Sequence, residues 1–336
     1  MGDLYILNTR CRLTETIKNA FEVAGLDVKV SSESGVSDEN LRGAKGFTAI
    51  CLFVNKKISP EQVEIIKSNG TKLILHCSAG FDNSPIQELR AAGVSVARVP
   101  SYSPGSIAEY AITQIMALAK NTQMSYVMTK KADFDISNMQ CLLMENKTCG
   151  IIGTGLIGRM TAKKISGLVD KVLCYDVFPD KEWIQTIGNA EYADLDAVFQ
   201  NSNFISIHVP LLPQTFHLIN EVAFAKMKEG VILINTSRGE IVEISALISA
   251  LESGKLWGCA LDVFEGETKY IFHDQSKKGF REHPELGKLA EMDNVILSSH
   301  IAFYTDQAVE QITTKTLENY LGFIGRGSMD EKSFVI

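Results

Sequence analysis

The sequence predicts an α/β fold made of two domains, each with a doubly wound parallel sheet. Short apolar runs alternate almost from end to end with stretches that have helical spacing, which is the pattern of successive βαβ units. The chain has 336 residues, more than one hydrophobic core usually covers. We therefore expect two domains with a cleft between them.

Five strands are predicted in the first third of the chain, where apolar runs are separated by polar segments. They are Leu4–Leu7, Val28–Val30, Ala49–Val54, Lys72–His76 and Val94–Val99. A helix is predicted over Pro60–Asn69, because Ser59 can cap its start, proline suits the first helical position and Gly70 follows its end. We expect the five strands to form the first sheet.

Six further strands are predicted in the second part of the chain, with helices such as Leu156–Gly167 and Glu243–Ser253 between them. They are Thr148–Ile152, Val172–Tyr175, Phe204–His208, Val231–Asn235, Cys259–Asp262 and Val295–Ser298. Six parallel strands fit one nucleotide-binding sheet.

Two more helices are predicted outside these sets of strands. The stretch from Ser106 to Met128 follows Pro104-Gly105 and carries apolar residues at core-forming spacing. We expect it to be one long helix that crosses between the domains. The helix from Thr305 to about Phe323 follows the final strand, and we expect it to pack on the first domain.

Composition and charge favour a globular protein with a small-molecule partner. Hydrophobic residues make up 45% of the chain and charged residues 22%, which is the ordinary balance for a globular fold. The formal net charge is −7 and basic residues are not clustered, so neither nucleic acid nor an anionic membrane is an expected partner. No apolar run approaches the roughly 20 residues of a membrane span.

The cysteines indicate a reducing compartment. There are seven, an odd number, and they are widely spaced, without a C-x-x-C pair. This pattern is typical of free cytosolic thiols. We therefore expect a cytoplasmic protein, and we predict no metal site.

A glycine motif, Gly153-Thr154-Gly155-Leu156-Ile157-Gly158, lies between a predicted strand and a predicted helix. In this context the glycines permit a tight turn, a close approach of the backbone to a pyrophosphate, and close packing of helix on strand. Asp176 ends the next strand, eighteen residues after Gly158, where a carboxylate can bind the ribose diol of NAD and repel the phosphate of NADP. The alternative is a simple glycine turn with a surface aspartate.

Three later strands also end in polar residues, at the edge where ligands of doubly wound sheets bind. They contribute His208-Val209-Pro210, Asn235-Thr236-Ser237-Arg238-Gly239 and Asp262. His208 alone is as consistent with a simple strand cap. Their shared location is what predicts a cofactor site.

The same edge offers the groups that reduction of a 2-keto acid requires. Arg238 can bind a carboxylate with its planar guanidinium and polarise the neighbouring carbonyl. His300, which ends the last strand, can donate the proton, and Glu267 can orient its ring and favour the imidazolium. Alone, Arg238 is more easily interpreted as a surface charge, His300 as a structural histidine and Glu267 as a loop residue. Together, beside a glycine motif, they predict a catalytic site.

These residues resemble the D-isomer-specific 2-hydroxyacid dehydrogenases, and within that family the fermentative D-lactate dehydrogenase branch. The resemblance covers nearly the whole chain. It includes Phe53-Val54-Asn55, Ala79-Gly80-Phe81-Asp82-Asn83, Val99-Pro100-Ser101-Tyr102-Ser103-Pro104, the glycine motif, Asn235–Gly239, Leu261-Asp262-Val263 and His300-Ile301-Ala302-Phe303.

The resemblance implies a catalytic set of Arg238, Glu267 and His300. It implies that backbone N–H groups around Ala79 and Gly80 hold the substrate carboxylate, that Tyr102 assists, and that Asp262 lies near the nicotinamide. Residues 1–101 and 302–336 would form a flavodoxin-like substrate domain, into which a Rossmann-type cofactor domain of residues 102–301 is inserted. A homodimer held through the cofactor domain is also implied.

Two positions depart from the family pattern: Cys77 stands where many relatives have Arg, and Tyr110 where His is common. Neither belongs to the catalytic set, but Cys77 lies near the expected carboxylate-binding turn. Aromatic residues Phe53, Tyr102 and Phe303 would favour a methyl side chain, so pyruvate is the expected substrate. The alternatives are phenylpyruvate, indolepyruvate, a branched 2-keto acid or 2-ketoglutarate, and, from another class, an NAD-sensing binding protein of the same fold.

Overall fold

The computed structural model describes residues 2–7, 11–33, 35–53, 57–81 and 83–336, without the side chain of Lys269. Val54, Asn55 and Asp82, which contribute to the family resemblance, lie outside the described residues. The chain divides into two compact units. The first contains Met1–Ser103, Ile271–His273 and Tyr304–Ile336, and the second Pro104–Tyr270 and Asp274–Phe303.

The strands form two parallel sheets, as predicted. In chain order they are β1 (Gly2–Ile6), β2 (Val28–Val30), β3 (Phe47–Leu52), β4 (Leu73–His76), β5 (Ser95–Arg98), β6 (Thr148–Ile152), β7 (Lys171–Tyr175), β8 (Ala190–Tyr192), β9 (Phe204–Ile207), β10 (Val231–Asn235), β11 (Leu256–Leu261) and β12 (Val295–Leu297).

The helices alternate with these strands. They are α1 (Arg12–Val23), α2 (Asp38–Arg42), α3 (Val63–Ser68), α4 (Ile86–Ala91), α5 (Pro104–Ala119), α6 (Thr122–Thr129), α7 (Leu156–Ile165), α8 (Lys181–Ile184), α9 (Leu195–Asn201), α10 (Glu221–Lys226), α11 (Ile244–Glu252), α12 (Pro284–Ala290) and α13 (Asp306–Phe323). Within the described ranges, none of them combines the length and apolar character that a membrane crossing requires.

The sheet of the first unit has the order β2-β1-β3-β4-β5 over the described residues, which is the flavodoxin-like order. One face is covered by an apolar cluster that includes Tyr5, Ile50 and Ile74. Helix α13 packs on α1, where the rings of Phe21 and Tyr320 lie 5.4 Å apart. The predicted return of the last helix to the first domain is therefore confirmed.

The sheet of the second unit has the order β12-β11-β10-β9-β6-β7-β8 among the described strands, a Rossmann-type order with one added strand. Successive residues of β10 enter two different apolar clusters: Val231 and Leu233 one, Ile232 and Ile234 the other. Because side chains alternate across a strand, this sheet is buried on both faces. The strand order reverses between β6 and β9, where ligands of such sheets bind.

Three predictions about elements are corrected. The described part of the second sheet has seven strands rather than six, because β8 is a short edge strand with a polar centre that gives no apolar run. The long helix predicted over Ser106–Met128 is two helices, since Asn121 adopts left-handed backbone at φ 48° between α5 and α6. The segment from Pro60 begins as a 3₁₀ turn, Pro60–Gln62, before α3.

Candidate active site

The glycine motif forms the turn from β6 into α7. A Cβ on Gly153, whose φ is 95°, would lie 2.6 Å from the His208 carbonyl oxygen, and one on Gly158 would collide with the Gly153 carbonyl. Both glycines are therefore required for packing. A Cβ on Gly155 would meet nothing within 4 Å. The glycine at this position leaves open space beside the backbone, which is the feature that a pyrophosphate needs.

Asp176 lies beside this turn, at the end of β7. Its carboxylate accepts hydrogen bonds from the Thr154 N–H (2.6 Å), the Thr154 hydroxyl (3.0 Å) and the Phe178 N–H (2.9 Å). Partial burial opposes ionisation, but the hydrogen bonds from Phe178 and Thr154 and the charge of Arg159 outweigh it and lower the pKa of Asp176. The side chain is therefore a stable anion, suited to a ribose diol and unsuited to a phosphate.

Arg159, Asp180 and Tyr192 support the same turn and were not predicted. The Arg159 guanidinium donates to the Thr154 carbonyl (2.8 Å) and to the Asp180 carboxylate (2.7 Å). The Tyr192 hydroxyl lies 2.8 Å from the Thr154 hydroxyl. Arg159, the α7 cation whose charge acts on Asp176, is thus paired with Asp180, so its presence does not favour a 2′-phosphate.

The residues after β9 adjoin the glycine turn. The His208 ring lies 2.9 Å from the Ser206 hydroxyl, and burial lowers the pKa of His208 to about 3. This imidazole is therefore neutral. Val209 lies against the position that a Gly153 Cβ would occupy, and Pro210 is exposed.

The turn after β10 is held in place by hydrogen bonds of its own side chains. The buried Asn235 amide donates to the Arg238 carbonyl (2.8 Å) and accepts from the Ser237 N–H (3.0 Å), and the Ser237 hydroxyl donates to the Ile207 carbonyl (2.6 Å). The buried Thr236 hydroxyl has no hydrogen-bond partner among the described residues. An orphaned hydroxyl of this kind calls for a ligand or a water molecule. Together with the space at Gly155, it shows that the residues present fit a dinucleotide.

His300 and Glu267 form a close pair after β12 and β11. The Nδ1 atom of His300 lies 2.8 Å from Oε1 of Glu267, and the two side chains are 13% and 14% exposed. The other Glu267 oxygen accepts from the Phe264 N–H at 3.1 Å. The carboxylate therefore fixes the orientation of the ring and leaves Nε2 as the atom available for proton transfer.

Asp262 holds the turn that carries His300. Its carboxylate accepts hydrogen bonds from the Ser298 hydroxyl (2.6 Å) and from the N–H groups of Ile301 (3.0 Å) and Ala302 (2.9 Å). His300 itself has left-handed backbone at φ 57°, and its N–H donates to the Asp262 carbonyl at 2.9 Å. Such a conformation is unfavourable for a residue with a side chain and persists only where its surroundings impose it.

Arg238 lies in the turn that packs against the Glu267 loop. A Cβ on the neighbouring Gly239 would collide with the backbone of Phe264 and Glu265, so only glycine permits this approach. Arg238 is half-buried and donates to the Ser237 carbonyl at 2.8 Å. The catalytic set thus follows the three neighbouring strands β10, β11 and β12. The structure brings these residues to one sheet edge; their catalytic roles stay predictions.

Tyr110, one of the departures from the family pattern, is joined to this edge. Its polar neighbours are Gln114 and Ser298, and the Ser298 hydroxyl donates to Asp262. Burial raises the pKa of Tyr110. The hydroxyl therefore stays protonated beside the turn of His300.

Other unpredicted support comes from His283 in the loop before α12. Its Nε2 lies 2.8 Å from the Glu265 carbonyl oxygen, and its Nδ1 accepts from the Leu286 N–H at 3.3 Å. The Phe264 and His283 rings meet edge to face. This contact braces the Glu267 loop, but the sequence around His283 gave no signal that it would do so.

The expected substrate-binding residues fall in both units. Phe53, Ala79, Gly80 and Tyr102 belong to the first unit, and Phe303 to the second, where its ring centroid lies 6.3 Å from that of His300. Phe53 and Phe303 are buried, and the other three are half-buried. Their substrate-binding roles stay predictions.

Cys77 does not contribute its side chain to the turn around Ala79. Its sulfur lies 3.0 Å from that of Cys51 and 3.6 Å from the Thr316 hydroxyl, inside the first unit. The thiol is therefore engaged with Cys51 and Thr316, and the effect of this departure on carboxylate binding stays a prediction. All seven cysteines are free thiols.

Comparison with known proteins gives one consistent result. Residues 112–302 match the family model described as D-isomer specific 2-hydroxyacid dehydrogenase, NAD binding domain. The chain is 35% identical to a D-lactate dehydrogenase of Escherichia coli over 84% of this chain and 85% of that protein. It is 33% identical to an aromatic 2-oxoacid reductase of Clostridium sporogenes over 94% of each.

A solved structure gives the same picture. The structure of a D-lactate dehydrogenase from Aquifex aeolicus, complexed with NAD and lactic acid, covers 99% of both chains with a TM-score of 0.86 and 32% identity. The similarity therefore extends over both units of the fold.

Proposed function

We propose that this chain, which belongs to the D-isomer-specific 2-hydroxyacid dehydrogenase family, reduces pyruvate to D-lactate. It is an NAD-dependent oxidoreductase. The observation that carries the proposal is the part-buried His300–Glu267 pair, 2.8 Å apart, whose glutamate lies in the loop that packs on the turn of Arg238. This arrangement supplies a proton donor and a carboxylate-binding cation at one edge of the sheet.

NAD binding is assigned to the edge around the strand reversal. When bound, NADH supplies the hydride for the carbonyl carbon. The backbone of Gly153–Gly158 would hold the pyrophosphate and Asp176 the ribose diol. The residues after β9 and β10, with Asp262, would line the remainder of the site. Asp262 would contribute by holding the turn of His300 rather than by binding the cofactor directly, because its carboxylate already accepts three hydrogen bonds from that turn.

The side chains supply binding and proton transfer. Arg238 would hold the substrate carboxylate through two N–H donors and polarise the adjacent carbonyl. His300, as imidazolium, would give its Nε2 proton to the carbonyl oxygen as the hydroxyl forms. Glu267 would stabilise the charged ring and keep Nε2 directed outward. The backbone N–H groups of Ala79 and Gly80 would bind the carboxylate as well.

Pyruvate is favoured over larger 2-keto acids by the bulk of the aromatic residues assigned to the substrate. Phe53 and Phe303 are 3% and 9% exposed, so neither ring has much freedom to move aside. Tyr102 would add a third aromatic wall. Phenylpyruvate is the strongest competing substrate, because one of the relatives is named an aromatic 2-oxoacid reductase.

The test is NADH oxidation with a panel of 2-keto acids, scored by kcat/KM, with chiral analysis of the product. We expect pyruvate to give the highest value and the product to be the D-isomer. Preference for phenylpyruvate would refute the substrate, and an L-product would refute the assignment of the reaction. NADH binding without any turnover would point to the NAD-sensing alternative. Phe53→Val should shift the preference toward longer side chains, while Phe21→Val, at a buried phenylalanine of α1 in the same unit, is the matched change outside the assigned set.

We expect a homodimer in the cytoplasm. In α6 and the segment that joins it to β6, in the second unit, Tyr126, Phe134, Ile136 and Leu143 are all more than half exposed, with Ile136 at 81%. Exposed large apolar side chains in one segment are typical of an interface, and a second copy of the chain is the expected partner. Light scattering should give twice the chain mass. Ile136→Glu should shift the mass toward one chain, and an unchanged mass would exclude this surface.

A further inference from the structure

Arg98, at the end of β5, reaches the turn that follows β4. The two strands pair with His76 opposite Arg98. The Arg98 guanidinium donates a hydrogen bond to the Ala79 carbonyl at 2.8 Å and lies over the Phe81 ring, 5.3 Å from its centroid. One side chain therefore contacts both ends of the segment 79–81, entirely within the first unit.

This contact sets the direction of a neighbouring N–H group. The Ala79 carbonyl and the Gly80 N–H belong to one planar trans peptide, so they point in opposite directions. When Arg98 holds the oxygen, the Gly80 N–H must point away from Arg98. The Ser78 hydroxyl holds the Gly80 carbonyl in the same way, at 2.7 Å, and thereby directs the Phe81 N–H.

Both N–H groups are available to a ligand. Gly80 and Phe81 are half-buried, and no described residue accepts a hydrogen bond from either N–H. Half-buried donors that are fixed in direction and lack a protein acceptor suit an anionic oxygen.

The position of Arg98 is fixed by the C-terminal segment. Its N–H donates to the Ser333 carbonyl (2.9 Å), and its carbonyl accepts from the buried Asn319 amide (2.8 Å). The backbone that carries the guanidinium is therefore held in place. This reduces the entropy that is lost when the Arg98 side chain orders the turn.

The charge of Arg98 adds to the effect of its geometry. A guanidinium stays protonated at all relevant pH values. Over the described residues, no carboxylate lies within ion-pair distance of it. A cationic donor on the Ala79 carbonyl polarises that peptide and makes its N–H a stronger donor.

We propose that Arg98 is a positioning residue for substrate binding: it orients and polarises the Ala79–Gly80 peptide so that the Gly80 N–H binds the carboxylate common to all 2-keto acids. The proposal rests on the proposed function and deepens it. It assigns Arg98 to ground-state binding, whereas His300 and Glu267 act in the chemical step.

The experiment compares Arg98→Gln and Arg98→Lys with the wild type, using pyruvate and phenylpyruvate as substrates. Loss of a charged hydrogen bond should raise KM about tenfold in Arg98→Gln for both keto acids, with kcat within about threefold and an unchanged Kd for NADH. Arg98→Lys should restore part of the loss, because it returns the charge without the planar fork. Arg90→Gln, an exposed arginine of α4 in the same unit, is the matched control and should leave both parameters unchanged.

A second variant separates the two peptides of the turn. Ser78→Ala removes the hydroxyl that holds the Gly80 carbonyl but retains the charge of Arg98. It should raise KM by less than Arg98→Gln does, again for both substrates. A larger increase than in Arg98→Gln would overturn the ranking of Arg98 as the residue that orders the turn.

Several results would overturn the proposal. An unchanged KM in Arg98→Gln would do so, as would an increase confined to one keto acid, because the carboxylate is common to both. A lower Tm with equal losses in kcat and in substrate affinity would show a merely structural role. If the wild type reduced no keto acid, the proposed function would fail instead. Calorimetric binding of oxamate would then decide on Arg98 alone: about tenfold weaker binding in Arg98→Gln supports it, and equal binding refutes it.

Discussion

The two sheets present their functional groups in different ways at their carboxyl ends. In the second unit the turns after β10, β11 and β12 present side chains, Arg238, Glu267 and His300, while buried polar groups hold the backbone. In the first unit the turn after β4 presents backbone N–H groups, and a side chain, Arg98, holds the carbonyl on the other side of the peptide.

This difference separates two tasks. Proton transfer and recognition of a planar carboxylate need particular side chains, and those are found in the second unit. A pair of N–H donors can be supplied by any sequence whose peptides are held in the right direction, as in the first unit. We therefore expect substitutions of His300 and Glu267 in the second unit to act on the chemical step, and substitution of Arg98 in the first unit to act on substrate affinity.

The largest effect is expected for His300→Ala. Removing the proton donor should lower kcat by about a thousandfold while NADH binds with unchanged affinity. The matched control is His217→Gln, because His217 also pairs with a glutamate, Glu265, at 3.2 Å, but lies outside the catalytic set. Its kcat should stay near that of the wild type. Equal losses in the two variants would remove the distinction between the catalytic pair and an ordinary one.

A smaller effect is expected for Asp262→Asn, which tests whether the turn of His300 needs the hydrogen bonds that the Asp262 carboxylate accepts. The amide group would place an N–H donor opposite the N–H of Ala302 or Ile301, leaving a donor without an acceptor. We expect kcat to fall about tenfold or more and the free energy of unfolding by about 2 kcal/mol. Asp293→Asn, at an exposed position in the same unit, should change neither. If Asp262→Asn has the kcat and the unfolding free energy of the wild type, these hydrogen bonds are not needed to hold the turn.

The smallest effect is expected for His208, and it concerns stability. Burial lowers the pKa of His208 from 6.5 to about 3, so the unfolded chain binds a proton that the folded chain rejects. Stability is therefore fully present above pH 6.5 and is lost as the pH falls toward 3. Near pH 5 the loss should reach about 2 kcal/mol.

The measurement is the difference in unfolding free energy between near-neutral and acidic buffer, for the wild type and for His208→Gln. The variant lacks this titrating group, so its acid sensitivity should be smaller by that amount. An identical pH dependence in the two proteins would show that His208 is not kept neutral by burial.

The edge that we propose as catalytic was accessible from the sequence for a physical reason. Parallel strands end at a common edge, so Arg238, Glu267 and His300 converge once their strands are recognised. The glycine motif fixed the identity of that edge. The family and its dependence on NAD, both expected from the sequence, are confirmed.

The supporting residues were less accessible, because their roles depend on packing between distant segments. Asp262 was assigned to the nicotinamide, and its three hydrogen bonds to the turn of His300 became apparent only from the fold. Arg98 gave no signal, since its target lies in the turn after a neighbouring strand, nineteen residues earlier in the chain. The break at Asn121 depends on one left-handed residue within an otherwise continuous helical pattern.

The most direct test of the division between the two sheets is the measurement of kcat and KM for Glu267→Gln and Arg98→Gln, side by side, with pyruvate. Glu267→Gln should lower kcat about a hundredfold with KM within about threefold, because it acts on the proton donor. Arg98→Gln should raise KM about tenfold with kcat within about threefold, because it acts on carboxylate binding. If both variants change the same parameter to a similar extent, the assignment of Glu267 to proton transfer and of Arg98 to substrate binding is contradicted.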